Sequence, residues 1–358
     1  MRAAHPGPSP SDAGVALIMV LLLLALLLVI VGEFAQAMRL EAVTSTNFRA
    51  ALGETWLAEA AYQRAVAEIL PEALAHELDL GGVLAFRRVR LGTPKVPGRL
   101  DVPVDPGRLS YRITDESARL NLNQSTREAL DRLLLELGVD KSVRDVIVDS
   151  VQDWRDPNEE HRLNGGESDY YLSLPVPYRS KNADFDSVDE LLQVQGVTRE
   201  LFYGRPDAPG LAEHLTIWNS GAVNVNTASP VVLRALGFAP AEVELLVARR
   251  PYVDLSTLPP ALRRGSQGTR SEFFRIEAWA GGAVPAGRVL TAVVQRQAGQ
   301  AGQAGLGGLA GLAGLAGQAG QAGQVQAVPL AWRWSDASRP APAPPAAAPD
   351  RTGRGAGS

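Results

Sequence analysis

A segment between residues 153 and 171 concentrates side chains that could bind a cation. Calcium is held in proteins by about 6–8 oxygen atoms of carboxylates, amides and carbonyls, in irregular geometry. Like charges in one loop repel each other, and a cation would remove that cost. The spacing is not that of an EF-hand, and a solvated acidic loop stays open as the alternative. The segment contains Asp153, Asp156, Asn158, Glu159, Glu160, Asn164, Glu167, Ser168 and Asp169, with a double glycine at 165 and 166.

Patterns that would indicate catalysis are absent from the sequence. The four histidines, His5, His76, His161 and His214, do not pair at metal-binding spacing. There is no cysteine, which excludes a thiol nucleophile, a cysteine zinc site and a disulfide. There is also no G-x-S-x-G elbow, P-loop or Rossmann fingerprint. We therefore expect a protein that is not an enzyme.

The elements that position the acidic segment begin with an apolar helix near the N-terminus. Val15 to Val31 is an unbroken apolar run that directly follows Gly14. Its seventeen residues are the lower limit for crossing a hydrocarbon core of about 30 Å. A secretory signal peptide would have a shorter apolar core, and here the helical pattern continues without proline to Pro71. The sequence predicts a leader at 1–14 and one helix over 15–70, half of it in a membrane.

The rest of the chain changes character several times. Strand composition at 71–114 gives way to helical patterns at 115–265 and returns at 266–334. A Gly/Ala/Gln tract at 297–324 predicts a flexible loop, and a Pro/Ala-rich tail at 335–358 predicts disorder. This order predicts an α+β fold in which the long helix packs on an antiparallel sheet and a helical domain is inserted.

The predicted strands can be placed more closely. Two of them are Val83–Val89 and Leu109–Ile113. Two more lie in 272–296, where the sequence reads EFFRIEAWA and RVLTAVVQR. A last strand at 325–334 would return to the sheet after the loop.

The helical region contains an internal repeat. Residues 118–154 and 221–255 each open with a strand-like Asn-x-Asn, at Asn121/Asn123 and Asn224/Asn226, and each continues with a helix, a glycine and a second helix. A third unit at 187–202 has the same helix–glycine–helix form around Gly196. Short hydroxyl side chains predict N-caps, and the glycines predict left-handed helix ends. The predicted caps are Thr126 and either Thr227 or Ser229, and the predicted helix ends are Gly138 and Gly237.

These units are similar to helix-hairpin-helix motifs, which in DNA-binding proteins offer backbone amides to a phosphate. The turns here carry Asp140, Glu200 and Glu242, and the net charge of the chain is −4, which disfavours a phosphate backbone as ligand. A helical packing module is the favoured interpretation. A membrane-anchored DNA-binding protein of the competence type is the alternative.

The ordered set of motifs resembles one family in particular. Gly14 before the apolar helix is followed by DESARLNLN, by DWRDPNEEHRLNGGESDYYLSLPVPYRSKN, by SVDELLQVQGVT, by AVNVNTASPVVLRAL and by FFRIEAWA. This set resembles the general secretion pathway protein K family, the large minor pseudopilins of type II secretion systems. The resemblance implies a pilin-like fold. It also implies cleavage between Gly14 and Val15 by a prepilin peptidase, with methylation of the new N-terminus.

The resemblance further implies a place in the cell and a set of partners. The chain would be a single-pass protein of the inner membrane with its bulk in the periplasm, at the tip of the pseudopilus. It would assemble with the minor pseudopilins I and J, contact the inner-membrane secretion platform and exported proteins, and bind no nucleic acid. It would prime pseudopilus assembly and support the export of folded proteins across the outer membrane.

Two site assignments follow from the resemblance. Most pilins carry Glu at the fifth mature position, which here is Met19. A carboxylate in the bilayer needs a partner, so its absence suits a tip subunit with no neighbour above it. Relatives hold calcium near the acidic segment, and the implied ligands in this chain are Asp156, Glu159, Glu167 and Asp169.

Overall fold

The computed structural model describes residues 10–70, 74–77, 84–87, 98–205, 208–298 and 325–336. The chain divides into two compact units, Met1–Trp56 and Leu57–Ser358. The helices of at least five residues are α1 (Pro10–Ile69), α2 (Arg127–Glu136), α3 (Lys141–Arg155), α4 (Ser168–Leu172), α5 (Arg199–Tyr203), α6 (Pro230–Ala235) and α7 (Pro240–Ala248). Short 3₁₀ turns add Glu116–Ala118, Val188–Gln193, Leu211–Glu213, Leu255–Thr257 and Pro260–Leu262.

The strands are mostly short outside the main sheet. They are β1 (Leu74–Glu77), β2 (Leu84–Arg87), β3 (Val102–Pro103), β4 (Arg108–Asp115), β5 (Leu120–Asn121), β6 (Gly204–Arg205), β7 (Ala208–Pro209), β8 (Leu215–Thr216), β9 (Val223–Asn224), β10 (Gln267–Gly268), β11 (Phe273–Ala280), β12 (Arg288–Ala298) and β13 (Val325–Asp336).

The first unit is formed by the N-terminal part of α1. Its apolar side chains are exposed, from 59% at Val15 to 62% at Val31. Apolar side chains left in contact with water around a whole helix are typical of a segment that lies in lipid. Among the described residues, one helix is long and apolar enough to cross a membrane by its length and composition.

The second unit contains a five-stranded antiparallel sheet in the order β13-β12-β11-β4-β3. Ile276 at the centre of β11 pairs with Ile113 on one side and Ala292 on the other. The last turns of α1 cover this sheet. Their buried side chains are Ala58, Ala61, Tyr62, Ala65 and Ile69. Their spacing of three or four residues places them on one helix face, and the alanines allow a close approach to the strands.

A separate core holds the inserted helical region together. Leu122, Leu133, Ile147, Leu215 and Leu246 are all at most 2% exposed and belong to one cluster. The region thus buries its own apolar surface. Two-residue strands accompany the helices and pair in parallel, β5 with β8 and β9 with β10.

The α+β architecture agrees with the prediction, with local differences. Strand β12 continues to Ala298, two residues into the tract predicted as a loop, because Gln297 and Ala298 pair with β13. Ser335 and Asp336, predicted to begin the tail, pair with Val289 and Arg288 and extend β13 for the same reason.

Other predictions concern residues that the structure does not describe. They concern the remainder of the 297–324 tract, the tail after Asp336 and the first nine residues of the leader.

The first helix of the third unit is a 3₁₀ turn, Val188–Gln193, closed by a capping box between Ser187 and Glu190. The division of the chain into six segments stays a prediction.

Candidate functional site

Helix α3 holds two carboxylates of the candidate site in the protein interior. Asp149 and Asp153 are one helical turn apart and therefore share a face. They are 4% and 0% exposed. The same helix buries Ile147, Val151 and Trp154 in the helical core. This apolar contact fixes the helix and, with it, the position of both carboxylates.

The loop after α3 folds back over these carboxylates. The backbone N–H of Arg162 donates to Asp153 Oδ2 at 3.1 Å, and its Nη1 donates to Asp153 Oδ1 at 2.5 Å and to Asp156 Oδ2 at 2.6 Å. Asn164 Nδ2 donates to Asp149 Oδ2 at 3.0 Å. The acidic segment therefore wraps around its own helix and carries a guanidinium between two carboxylates.

The double glycine is required by this close approach. A Cβ atom added at Gly165 would overlap the carboxylate of Asp153, and one added at Gly166 would overlap the amide oxygen of Gln195. The buried carboxylate of Asp153 leaves no room for a side chain at Gly165, whereas a side chain at Gly166 would have to displace the amide end of Gln195. The loop thus forms a tight cradle beside Asp153, and the sequence pattern Gly-Gly has a steric cause.

Glu167 is the least satisfied group of the site. Its side chain is 1% exposed, and neither carboxylate oxygen makes a hydrogen bond of regular geometry. The pKa of Glu167 is raised to about 7, mainly by burial and also by the charges of Asp153 and Asp156, against the lowering effect of the Ser180 hydroxyl. Burying a carboxylate with so little hydrogen bonding costs free energy. Carboxylate oxygens are ligands that a hard cation prefers.

Glu159 and Asp169 differ in environment. Glu159 Oε1 accepts hydrogen bonds from Ser168 Oγ and Asn182 Nδ2, both at 3.0 Å. Asp169 is exposed and accepts the N–H of Tyr170 at 2.7 Å. Glu159 is therefore fixed next to the residue that follows Glu167, whereas Asp169 opens the short helix α4.

The structure brings together part of the predicted ligand set. No group of three or more His, Asp or Glu side chains could hold a metal ion within the described ranges. The guanidinium of Arg162 instead holds Asp156 and Asp153. Sequence reasoning missed Arg162 and Asp149. The signals were the arginines inside the acidic run, Arg155 and Arg162, and the four-residue spacing of Asp149 and Asp153. Calcium at this loop stays a prediction.

Aromatic contacts close the far end of the loop. The ring of Trp154 on α3 meets Tyr171 on α4 edge-on, with centroids 5.3 Å apart, and Tyr171 stacks on Tyr178 at 5.1 Å. The Tyr171 hydroxyl accepts the N–H of Gln195 at 3.2 Å. These contacts anchor both ends of the acidic loop to the helical core.

The two Asn-x-Asn units that frame the site use the same contacts. The first asparagine folds its own turn: Asn121 Oδ1 accepts the N–H of Asn123 at 2.8 Å, and Asn224 Oδ1 accepts that of Asn226 at 2.9 Å. The second asparagine binds the backbone of a distant segment on both sides, at Phe185 for Asn123 and at Tyr252 for Asn226.

An arginine completes each unit. Arg155 donates to the carbonyl oxygens of Leu122 and Ser125, both at 2.8 Å. Arg250 donates to the corresponding carbonyls, those of Val225 at 2.8 Å and Ala228 at 2.5 Å. Each guanidinium satisfies carbonyl groups that the turn leaves without partners.

The predicted helix ends and caps are found in both units. Gly138 and Gly237 have φ of 76° and 92°, and Thr126 accepts the N–H of Ala129. The second cap is Ser229, which accepts the N–H of Val232. Of the two alternatives, Thr227 is not the cap, because its hydroxyl donates to Asp115 Oδ2 at 2.5 Å.

The predicted processing residues lie in α1. Gly14 is within the helix, and Val15 and Met19 follow it with exposed side chains. Cleavage after Gly14 and the role of Met19 stay predictions.

The architecture defines a class of protein. A long N-terminal apolar helix whose last turns pack on an antiparallel sheet, with a helical insertion, is a pilin-like fold. A solved structure shares it: "The Crystal Structure of the GspK-GspI-GspJ complex from enterotoxigenic Escherichia coli Type 2 Secretion System" matches with a TM-score of 0.54 and 19% identity, over 72% of this chain and 94% of that chain. The predicted fold class is confirmed.

Sequence comparison finds similarity to one family of secretion proteins. Residues 111–203 match the family model described as "Type II secretion system (T2SS), protein K". The type II secretion system protein K of Pectobacterium carotovorum subsp. carotovorum is 33% identical over 122 residues, 30% of this chain and 37% of the relative. That of Aeromonas hydrophila is 30% identical over 149 residues, 36% of this chain and 43% of the relative. The match thus spans less than half of each relative, and the resemblance to protein K is confirmed.

Proposed function

We propose that this chain is a minor pseudopilin of a type II secretion system, held in the inner membrane by α1 with its bulk in the periplasm. It acts as a structural and assembly subunit rather than an enzyme. The observation that carries this proposal is the match of residues 111–203 to the protein K family, joined in one chain to an apolar helix that could cross a membrane.

We place the chain at the pseudopilus tip, together with the minor pseudopilins I and J. Two observations support this. The solved neighbour of the same fold is part of a GspK-GspI-GspJ complex, and Met19 offers no carboxylate to a subunit stacked above it. A tip complex of this kind would prime pseudopilus assembly, contact the secretion platform and support the export of folded proteins.

Co-purification tests the partners. The tagged full-length chain is expressed with the minor pseudopilins I and J of the same system and extracted in mild detergent. We expect a complex that contains all three proteins. A chain that purifies alone, or that is found in many copies along the pseudopilus shaft, would contradict the tip position.

Processing is tested at Gly14. We expect Gly14→Ala to keep the leader and to abolish secretion, since cleavage before Val15 removes the first fourteen residues. Mass spectrometry of the intact protein distinguishes the two forms. Gly32→Ala is the matched control, because Gly32 is a second glycine of the same helix with open space around it. A mature N-terminus at any residue other than Val15 would contradict the pseudopilin assignment.

The same proposal includes a structural calcium ion at the acidic loop, with Asp156, Glu159, Glu167 and Asp169 as its ligands. The buried carboxylate of Glu167, whose oxygens make no hydrogen bond of regular geometry, supports it. The ion would neutralise the carboxylates and cross-link the loop. Calorimetric titration of the full-length protein with calcium is expected to release heat. Bound calcium is also expected to raise the melting temperature. Both effects should be lost in Glu167→Ala.

A further inference from the structure

One edge of the main sheet is formed by β13, which among the described residues pairs with β12 on one side only. A strand at the edge of a sheet presents main-chain N–H and C=O groups that can pair with another chain, and proteins block such edges with proline, a bulge or charge. Here Pro329 and the register shift opposite Val293 and Val294 lie before residue 331. The second half of β13, residues 331–336, contains neither device and can accept a further strand.

Cross-strand pairing carries the apolar core of the sheet out to this edge. One row runs through Ile113, Ile276, Ala292 and Trp332. The first three side chains are at most 4% exposed, whereas Trp332 is 46% exposed. Its ring meets Tyr62 of α1 edge-on, with centroids 4.9 Å apart. A large apolar side chain that is half exposed at the end of a buried row indicates a place for one more apolar neighbour.

The row two residues further along β13 has the same form. It runs through Tyr111, Ala278, Leu290 and Trp334, of which the first three are at most 1% exposed. Trp334 packs against the sheet core and is partly exposed. Because every second residue of a strand points to the same face, Trp332 and Trp334 share the face that α1 covers.

The residue between the two tryptophans points to the opposite face and is charged. Arg333 is 68% exposed, and its ion pair with Asp189 is long, at 3.9 Å. Its cross-strand row runs through Arg112, Glu277, Thr291 and Arg333. Within this row Arg112 pairs with Glu277 at 3.3 Å, and the row ends at the edge in a positive charge. A carboxylate on the next strand would complete the alternation of charge.

A cavity of about 240 Å³ lies on this second face, between β13 and the inserted region. Thr291 and Arg333 line it from the sheet, and Ile217 and Trp218 line it from the helical side. The cavity gives room to the side chain that an added strand would direct to this face.

We propose that the second half of β13 binds an extended segment of another protein, which joins the sheet as its sixth strand. Main-chain hydrogen bonds supply the affinity, and alternate side chains supply the selectivity. The segment places apolar side chains beside Trp332 and Trp334 and a carboxylate opposite Arg333. Its apolar and acidic residues therefore alternate. This site adds a peptide-binding surface to the proposed function and is independent of the acidic loop.

The undescribed parts of the chain do not have this pattern. The tract 299–324 contains no acidic residue. The tail directly after β13 has prolines at 340, 342, 344 and 345, which carry no N–H to donate to a neighbouring strand. A second protein is therefore the occupant that fits the edge.

Two labelled peptides test the site on the full-length protein in detergent micelles. In the first peptide valine alternates with glutamate over six positions, and in the second peptide lysine replaces glutamate. Fluorescence anisotropy should show that the glutamate peptide binds about tenfold more tightly, because it gains an attractive charge pair where the lysine peptide meets a repulsive one. Equal affinities, or no binding of either peptide, would overturn the proposal.

Charge reversal at the edge should reverse the preference. Arg333→Glu is expected to bind the lysine peptide more tightly than the glutamate peptide. Arg112→Glu is the matched control, because Arg112 lies in the same row and is 58% exposed, with two strands between it and β13. It should keep the preference of the wild type. If both variants reverse the preference, net charge rather than the edge selects the peptide, and the proposal is wrong.

Pairing through the backbone has its own signature. The N–H groups of alternate residues point to opposite sides of an extended peptide. Two further glutamate peptides are therefore N-methylated, one at every valine and the other at every glutamate. We expect one of them to lose binding and the other to keep it. If methylation affects both peptides equally, the peptide does not bind as an added strand.

Two other occupants predict different results. Removal of residues 337–358 should leave the affinity for the glutamate peptide unchanged, and a large gain would identify the tail as the occupant. Light scattering tests for a second copy of the chain. A dimer that the glutamate peptide dissociates would identify β13 of that copy as the occupant. Either result would overturn binding of a separate partner.

Discussion

The two Asn-x-Asn units share their backbone contacts but differ in what they connect. In the first unit, Asn123 is partly exposed and the following helices lead to the acidic loop. In the second, Asn226 is 0% exposed, and Asn224 Nδ2 donates to Asp115 and Ser271. Asp115 ends β4 of the main sheet. The turn of the first unit therefore leads to the candidate site, whereas the turn of the second unit joins the inserted region to the sheet.

The two units share a hydrogen-bond pattern and differ in burial. Burial, rather than the hydrogen-bond pattern, therefore sets how much each unit contributes to stability. Asp115 shows it most clearly. Its carboxylate accepts from Ser117 N, Asn224 Nδ2, Thr227 Oγ1 and Ser271 Oγ, and burial raises its pKa. The four donors offset part of the free-energy cost of burying this carboxylate.

The largest expected difference separates the two second asparagines. Asn226→Ala leaves the N–H and C=O of Tyr252 and the C=O of Thr269 without partners in the interior. We expect a loss of about 4 kcal/mol in the free energy of unfolding. Asn123→Ala exposes the Phe185 backbone to water and should cost about 2 kcal/mol. Urea denaturation followed by tryptophan fluorescence measures both, and equal losses would break the comparison.

The paired arginines should behave alike. Arg155→Met and Arg250→Met each remove hydrogen bonds from two turn carbonyls, and we expect each to cost about 3 kcal/mol. The same denaturation experiment applies, with Arg179→Met at an exposed position as a control for loss of charge. If only one of the two variants loses stability, the two arginines do not contribute equally to their units.

Acid should act on the first unit through a histidine that the second unit lacks. His214 O accepts the N–H of Leu120, and Ser266 holds the corresponding place in the second unit. Burial first, and then the charge of Arg119, lowers the pKa of His214 to about 4. Because the unfolded chain takes up this proton near pH 6.5 and the folded chain does not, stability is complete above pH 6.5 and falls towards pH 4.

The His214 contribution to stability is about 3 kcal/mol smaller at pH 4 than at pH 8. The raised pKa of Glu167 acts in the opposite direction over this range. The His214 contribution is therefore measured as the difference in denaturation midpoints between wild type and His214→Ser, which copies the second unit, recorded between pH 4 and pH 8. If stability depends on pH in the same way in His214→Ser as in the wild type, groups other than His214 cause the loss of stability in acid.

The smallest expected effects lie at the helix ends. Gly138→Ala and Gly237→Ala force a side chain into left-handed backbone, at a cost of about 1 kcal/mol each. A Cβ at Gly237 would also lie 3.2 Å from Arg132 Nη1, whereas Gly138 has open space. Thermal melting should therefore rank Gly237→Ala as the more damaging. The reverse order would contradict the close contact with Arg132.

Much of the fold was accessible from local patterns. The apolar run predicts α1, and hydroxyl and glycine positions predict the ends of the repeated helices, since these depend on residues a few positions apart. The acidic segment was singled out as a cation site, which stays a prediction. Its ligands were not resolved, because Arg162 and Asp149 take part through a loop that folds back, and spacing along the chain does not reveal that.

The sequence by itself determined the apolar helix, four of the five strands of the main sheet, the Asn-x-Asn turns and the resemblance to protein K. Strand β3 was not predicted, and the strand predicted at Val83–Val89 pairs with β1 outside this sheet. Only the tertiary structure decided that Ser229 rather than Thr227 caps α6, that Asp115 ties the second unit to the sheet, and that Arg162 bridges Asp153 and Asp156. The physical reason is that caps and turns are settled by neighbouring residues, whereas the partner of a buried polar group depends on which distant segments pack around it.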